Sequence, residues 1–495
     1  MLTQPDSDLA RRVGEGTKGR NVIGGAPVMA QSGATLDVAS PSDGAVFATI
    51  ARSEAADVDA AVAAARAAFE TGPWAKMAAA GRGRLLSRLG ERIADHAGEL
   101  AALESRDTGK PLRQGVADVT ATERYFEYYG GAADKVHGEQ IPFLDGYTAL
   151  TMREPHGVVA GIIPWNYPLQ ILARVAGAAL AMGNTLVIKP AEDASLTALR
   201  VAELALEAGF PDGVFNVVTG LGAEAGAALS AHPDVDYVTF TGSPATGTAI
   251  QAAAAQNNRG VTMELGGKSP QIVFADADLE AAMPVLVNAI IQNGGQTCSA
   301  GSRILIERPV YEDVASELAA RFAALTAEPH WADADLGPLI NARQAERVAG
   351  FVADARAAGI AVLAEGSVAA DAPAGGHYQA PVLFGTVDPQ SDLAREEVFG
   401  PVLSLFAFDG EDDAVRLANA TDFGLVAGVW TKDGGRQHRM AKRVRAGQVY
   451  VNGYGAGGGI ELPFGGFKRS GHGREKGFEA LKDMSATKTV IFNHG

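Results

Sequence analysis

The chain has 495 residues and a net charge of −16, too long for one hydrophobic core and too acidic to favour nucleic acid or an anionic membrane as partner. Its hydrophobic fraction of 47% and charged fraction of 20% are those of an ordinary globular protein, and no apolar run reaches the ~18 residues that span a bilayer. The single cysteine, Cys298, excludes an internal disulfide and a multi-cysteine zinc site, and no metal site is expected. The first residues, Met1-Leu2-Thr3-Gln4-Pro5-Asp6-Ser7-Asp8, lack a basic segment followed by an apolar run, so no secretory leader is expected and the cytoplasm is the expected compartment.

In chain order, residues 1–50 read as a polar lead-in with short strands near 21–23 and 46–50. Alanine-rich 58–69 and leucine-spaced 82–105 each predict a helix. A third helix over 116–129 carries Tyr125, Phe126, Tyr128 and Tyr129, an aromatic patch read as packing. From 158 the pattern changes to short β-branched runs at 158–163, 185–188, 214–218 and 237–240, with helices at 196–208 and 222–230 between them. A second alternating block follows, with strands at 271–274, 303–307, 402–408, 425–430 and 448–452 and helices at 279–291, 311–325, 342–358 and 412–419. Such alternation predicts an α/β protein with two doubly wound parallel-sheet domains, a Rossmann-like cofactor domain and a catalytic domain. The expected limits are 1–132 with 154–268 for dinucleotide binding and 269–480 for catalysis. The stretches 133–153 and 481–495 do not fit the alternation and predict a small β extension shared with another subunit.

Residues just after strands of such sheets face the ligand crevice. Pro164-Trp165-Asn166-Tyr167-Pro168 reads as an exposed turn whose Asn166 amide is either an oxyanion donor or a cap. Lys189 and Glu192 suit the hydroxyls of a ribose, or a solvated helix start; a carboxylate there repels a 2′-phosphate and leans towards NAD over NADP. Gly220-Leu221-Gly222-Ala223-Glu224-Ala225-Gly226 and Phe240-Thr241-Gly242-Ser243 place glycines at strand-to-helix turns that favour anions, without the usual G-x-G-x-x-G spacing. Glu264 interrupts an apolar strand before Gly266 and Gly267, either as a buried general base or as an edge carboxylate paired with Lys268. Gly294, Gly295 and Gly301 thin the side chains around Cys298, which suits approach of a substrate to a nucleophilic sulfur; a buried, inert thiol is the alternative.

Taken together with Gly295-Gln296-Thr297-Cys298, Glu396-Glu397-Val398-Phe399-Gly400-Pro401 and Pro463-Phe464-Gly465-Gly466, these stretches resemble the NAD(P)-dependent aldehyde dehydrogenase family, of the hydrolytic type, in register from about residue 20 to 492. The resemblance implies that Cys298 is the nucleophile, Glu264 the base and Asn166 an oxyanion donor, with Glu475 a further catalytic acid. It implies NAD, with NADP as the alternative, held by Ile163, Pro164, Trp165, Lys189, Glu192, Gly222, Gly226, Phe240, Gly242, Ser243, Leu265, Glu397 and Phe399. It implies an aldehyde substrate beside Tyr167 and Arg174, and a homo-oligomer, dimer or tetramer.

The chain departs from the general members at Arg174-Val175, where they tend to carry tryptophan and lysine, which puts in doubt a proton relay from that lysine to Glu475. Arg174 is similar in position to an arginine of succinate-semialdehyde dehydrogenases that binds the substrate carboxylate, whereas their second arginine is replaced by Gln292. Arg174 is therefore either a carboxylate clamp or a structural partner of an internal acid, and in both cases disfavours a cationic substrate such as betaine aldehyde. The glycine-rich loop 453–459 leaves room for a larger substrate. Neutral aliphatic or aromatic aldehydes remain alternative substrates, and a CoA-acylating relative is the rival activity, against which Glu264 counts.

Overall fold

The computed structural model describes residues 7–455 and 459–495, so most of the first eight residues and the middle of the glycine-rich loop lie outside the described residues. The strands at 158–163, 185–188 and 237–240 form where expected, as Val158–Ile163, Thr185–Pro190 and Tyr237–Thr241. With Phe215–Val217 and Gly260–Glu264 they make the parallel centre of an eight-stranded sheet. Its edges are antiparallel. Asn21–Ile23 and Ala26–Val28 close one side, and Gly471–His472 returns from far along the chain to pair with Gly260–Glu264 on the other. The buried strands Val158–Ile163 and Thr185–Pro190 are apolar because helices cover both faces of the sheet.

The second sheet has seven strands, parallel from Val382–Gly385 through Val402–Phe408, Arg303–Glu307, Pro270–Val273 and Val426–Trp430 to Gln448–Val451. Ala361–Glu365 adds an antiparallel edge. The strand Val382–Gly385 and the helix Gly434–Arg443 are additions to the predicted elements. A third, antiparallel sheet joins Ser485–Asn493 to Tyr147–Pro155 over nine paired residues, with Gln140–Ile141 beyond. Phe143, Leu144, Met152, Ile491 and Phe492 are exposed there or just beside it.

The single helix expected over 82–105 is two, Ala79–Asp95 and Ala97–Thr108. His96 leaves the helical region at φ −106° and ψ 18°, and its Nδ1 lies 2.9 Å from the Arg92 carbonyl. The break redirects the second helix so that residues 100–108 are all buried. Periodicity does not register it, because apolar spacing continues across the turn. The next helix, Leu112–Ala132, buries Tyr125, Phe126 and Tyr129.

Candidate active site

Cys298 sits between two hollows. A cleft of about 530 Å³ is lined by Pro164, Trp165, Asn166, Gly242, Ser243, Glu264, Glu397, Phe399 and Cys298, with Gln344 and Arg347 at its wall. A tunnel of about 80 Å³ is lined by Asn166, Tyr167, Arg174, Cys298, Phe464 and Lys476, among others. Among the described residues, Asn166 and Cys298 alone face both hollows.

The local backbone explains why the sulfur stands there. Helix Leu279–Ile291 ends in a turn in which Asn293, Gly294 and Gly295 all take left-handed dihedrals. A side chain at Gly295 would also place its Cβ 2.2 Å from the Gly400 carbonyl oxygen. These glycines therefore serve the turn and its packing; the expectation that they thin the surface for a substrate is corrected, since Gly294 and Gly295 are buried. Gly267 passes so close behind the nucleophile that a Cβ there would lie 2.2 Å from the Cys298 carbonyl oxygen.

The turn 164–168 is packed inward, not exposed. Asn166 is buried, and its Nδ2 donates to the Gln296 carbonyl at 2.9 Å. An amide nitrogen carries two N–H groups, so one holds the side chain and the other is left for a ligand. Tyr167 Oη lies 2.9 Å from Thr297 Oγ1, beside the cysteine.

Glu264 is buried at the end of its strand, and neither carboxylate oxygen has a hydrogen-bond partner among the described residues. Burial, followed by the negative charge of Glu475, raises its pKa well above the usual carboxylate value, while Arg174 opposes the shift. No ion pair joins it to Lys268 among the described residues. Burial also pushes the Cys298 thiol up to about 12, again against the pull of Arg174.

Arg174 Nε contacts Glu475 Oε2, so the guanidinium has an internal acid as partner while still facing the tunnel. Thr239 Oγ1 donates to the other oxygen of Glu475 at 2.9 Å. Arg174 lies 5.2 Å from the Phe464 ring centroid and Lys476 lies 5.7 Å from it, so both cations border one aromatic. Lys476 is buried, and burial followed by the charge of Arg174 lowers its pKa to about 8. Glu475 itself does not line either hollow; it stands behind Arg174.

On the cleft side, helix Pro244–Gln256 begins at Ser243, whose hydroxyl accepts from the Thr246 N–H at 3.2 Å, so the positive helix end faces the hollow. Glu397 accepts from the Gly267 N–H at 2.8 Å, and burial pushes its pKa up to about 7. Trp165 and Phe399 meet edge to face, 5.4 Å between centroids. A carboxylate, two aromatic faces and a helix N-terminus fit a dinucleotide with its ribose, ring and pyrophosphate.

The remaining expected cofactor residues support the cleft without lining it. Ile163 pairs with Pro190 at the sheet end, and Lys189 Nζ donates to Glu192 at 3.0 Å. Lys189 belongs to the strand and is buried, so the solvated-helix-start alternative does not hold for it. Gly222 and Gly226 form the turn after Phe215–Val217, Phe240 underlies Gly242, and Leu265 packs against Gly247.

Tyr454, in the loop expected to leave room for substrate, faces the tunnel, and so do Tyr125 and Lys476, for which the sequence carries no such signal. Tyr125 was read as packing, which its burial satisfies, and no local pattern shows that its far end reaches a cavity. Of the loop 453–459, residues 456–458 lie outside the described residues.

Comparison with known proteins decides the family. The sequence profile of the Aldehyde dehydrogenase family matches residues 28–490.

The chain belongs to the aldehyde dehydrogenase family.

Its members are oxidoreductases acting on aldehydes, and the α/β architecture above is theirs. This aldehyde dehydrogenase is 41% identical over 473 residues to aldehyde dehydrogenase family 2 member B4, mitochondrial, of Arabidopsis thaliana, covering 95% of this chain and 87% of that one. A crystal structure from Burkholderia cenocepacia, described as a candidate aldehyde dehydrogenase, is 60% identical with TM-score 0.96, covering 96% of this chain and all of that one. The NAD+ complex of a Bacillus cereus aldehyde dehydrogenase is 40% identical with TM-score 0.95, covering 100% and 99%.

Proposed function

We propose that the protein oxidises an aldehyde to the carboxylic acid with NAD+, through a thiohemiacetal and a thioester on Cys298. The observation that carries the reading is the junction itself: sulfur and amide stand between a substrate-sized tunnel and a dinucleotide-sized cleft. Glu397, Trp165, Phe399 and Ser243 would hold the cofactor in the cleft, with Lys189 and Glu192 at its adenosine end. NAD+, when bound, supplies a hydride acceptor.

The chain's own residues do the rest. The Cys298 thiol gives up its proton to solvent, with the charge of Arg174 favouring the thiolate, and the sulfur bonds to the carbonyl carbon. The resulting oxyanion receives the free N–H of Asn166 and the backbone N–H of Cys298. After oxidation to the thioester, ionised Glu264 takes a proton from water as the water oxygen attacks the acyl carbon; the C–S bond breaks, the acid leaves, and the proton passes to the released Cys298 sulfur. A base in this position needs a raised pKa, and neither Glu264 oxygen is engaged by a hydrogen-bond partner among the described residues. Glu475 acts through Arg174, whose charge lowers the cost of ionising Cys298 and Glu264.

The finer reading is a substrate that carries its own carboxylate, such as a semialdehyde. Arg174 and Lys476 border the tunnel, and no carboxylate lines it among the described residues. The cationic wall disfavours a quaternary ammonium substrate. The sheets support the division into 1–132 with 154–268, 269–480, and 133–153 with 481–495, although Gly471–His472 pairs in the cofactor sheet and Ile460, Ala480, Leu481 and Met484 pack into the core of that domain. The exposed apolar residues of the third sheet support a homo-oligomer. A single free thiol suits the reducing cytoplasm, and no described helix is long and apolar enough to cross a membrane.

The test is NADH absorbance with succinate semialdehyde, a neutral aliphatic, an aromatic and a cationic aldehyde, with and without CoA, in wild type and Arg174→Ala. No NADH from any aldehyde defeats the enzyme reading, and an obligatory CoA requirement replaces hydrolysis by acylation. Selectivity unchanged in Arg174→Ala removes the carboxylate clamp.

A further inference from the structure

Behind the turn that carries Asn166 lies a charge cluster that the reaction above does not use. Lys110 is 1% exposed and follows helix Ala97–Thr108 by way of Gly109, which takes φ +80°. Its Nζ donates to Glu104 Oε1 at 3.1 Å, to Asp118 Oδ2, and to the backbone carbonyl of Asn166 at 3.0 Å. An ammonium has three N–H groups, and all three are accounted for. The same Nζ stands 4.5 Å from the Tyr167 ring centroid.

Both acids are held in turn. Glu104 Oε2 accepts from Thr197 Oγ1 at 3.1 Å, and Asp118 Oδ1 accepts from Gln170 Nε2 at 2.6 Å. Glu104, Asp118 and Lys110 are all buried, so the ammonium cannot be exchanged for water without stranding two carboxyl groups. On the opposite side, Asn293 Nδ2 donates to the same Asn166 carbonyl at 2.9 Å, and Gln114 Oε1 accepts from the Asn293 N–H at 2.9 Å. Asn166 is therefore fixed at its carbonyl by Lys110 and Asn293 and at its amide by Gln296.

We infer that Lys110 is a positioning residue for the oxyanion donor: its ammonium fixes the Asn166 carbonyl and the Tyr167 ring against the Cys298 turn. The inference rests on the proposed role of Asn166. Lys110 lines neither hollow, so it touches neither aldehyde nor dinucleotide and acts on the rate through Asn166. Misplacing a catalytic group by ~1 Å costs on the order of 10²-fold in rate, about what loss of one oxyanion donor costs.

The test is a double-mutant cycle on kcat with Asn166→Ala and Lys110→Met in the full-length enzyme, with KM and NAD+ affinity measured alongside. Each single variant is expected to lower kcat by roughly 10²-fold, with KM and NAD+ affinity within about threefold of wild type. In the Asn166→Ala background, Lys110→Met is expected to cost no further loss. A multiplicative loss in the double variant, or a wild-type kcat in Lys110→Met, overturns the inference. Wild-type kcat in Asn166→Ala instead overturns the role given to Asn166. Should Lys110→Met not accumulate as folded protein, Lys110→Met with Glu104→Gln and Asp118→Asn removes the stranded charges and enters the same cycle, read by the same criteria.

Discussion

Replacing Glu264 by glutamine separates the two halves of the reaction and makes a stability prediction of opposite sign. A general base contributes roughly 10²–10⁴-fold, about 3–5 kcal/mol of barrier. Because that base is needed for thioester hydrolysis, Glu264→Gln is expected to give a burst of NADH approaching one per active site and then a steady rate slowed within that range. Stopped-flow absorbance reads both phases, and an added small thiol that accepts the acyl group should restore turnover. Wild-type Glu264 is protonated in the fold at pH values where an unfolded glutamate is ionised, because burial and Glu475 raise its pKa. A raised acid pKa means that stability is fully present below the unfolded value and is lost as pH rises towards the folded one. The loss runs at about 1.4 kcal/mol per pH unit in that window. Glutamine carries no proton to lose, so the variant's stability relative to wild type should improve from pH 5 to pH 8 in chemical denaturation. A variant with no burst and an unchanged steady rate, or a stability difference flat with pH, refutes the reasoning about this carboxylate.

Gly267→Ala is expected to cost at least ~10²-fold in kcat, since its Cβ meets the Cys298 carbonyl oxygen at 2.2 Å and the nucleophile's backbone must move; a wild-type rate would show that the turn yields freely. Glu192→Ala should raise kcat/KM with NADP relative to NAD by about tenfold or more by removing a carboxylate that repels a 2′-phosphate, and an unchanged ratio of the two cofactors would place the adenosine ribose elsewhere. Cys298→Ser should abolish NADH formation while NAD+ still quenches tryptophan fluorescence through Trp165 in the cleft; measurable turnover would remove the sulfur from its role.

The alternation of apolar runs with helices is readable because each parallel strand is buried on both faces and carries its own local signature, as Val158–Ile163 and Thr185–Pro190 do. The cysteine turn is readable because its neighbours are chemically unusual. What local pattern does not carry is pairing across the chain. Gly471–His472 is two residues long and becomes a strand only because Met263 and Glu264 wait beside it. Arg174 looks alike as a clamp or as a structural cation until Glu475 is placed against it. The glycines at 294 and 295 are visible, but the Gly400 carbonyl that demands one of them lies a hundred residues away in sequence and at contact in space. Lys110 gives no signal at all: an isolated lysine after a helix reads as solvated, and its burial follows from acids on two helices and a turn from another segment.

Asn166 and Cys298 stand between two hollows, so on the proposed function aldehyde and dinucleotide would reach the sulfur from different sides. A ligand confined to the narrow chamber and one confined to the wide chamber can therefore occupy the protein together instead of competing. A single molecule that threads past the sulfur, joining a small anionic head to a dinucleotide-like body, would gain the affinity of both without a second diffusional encounter.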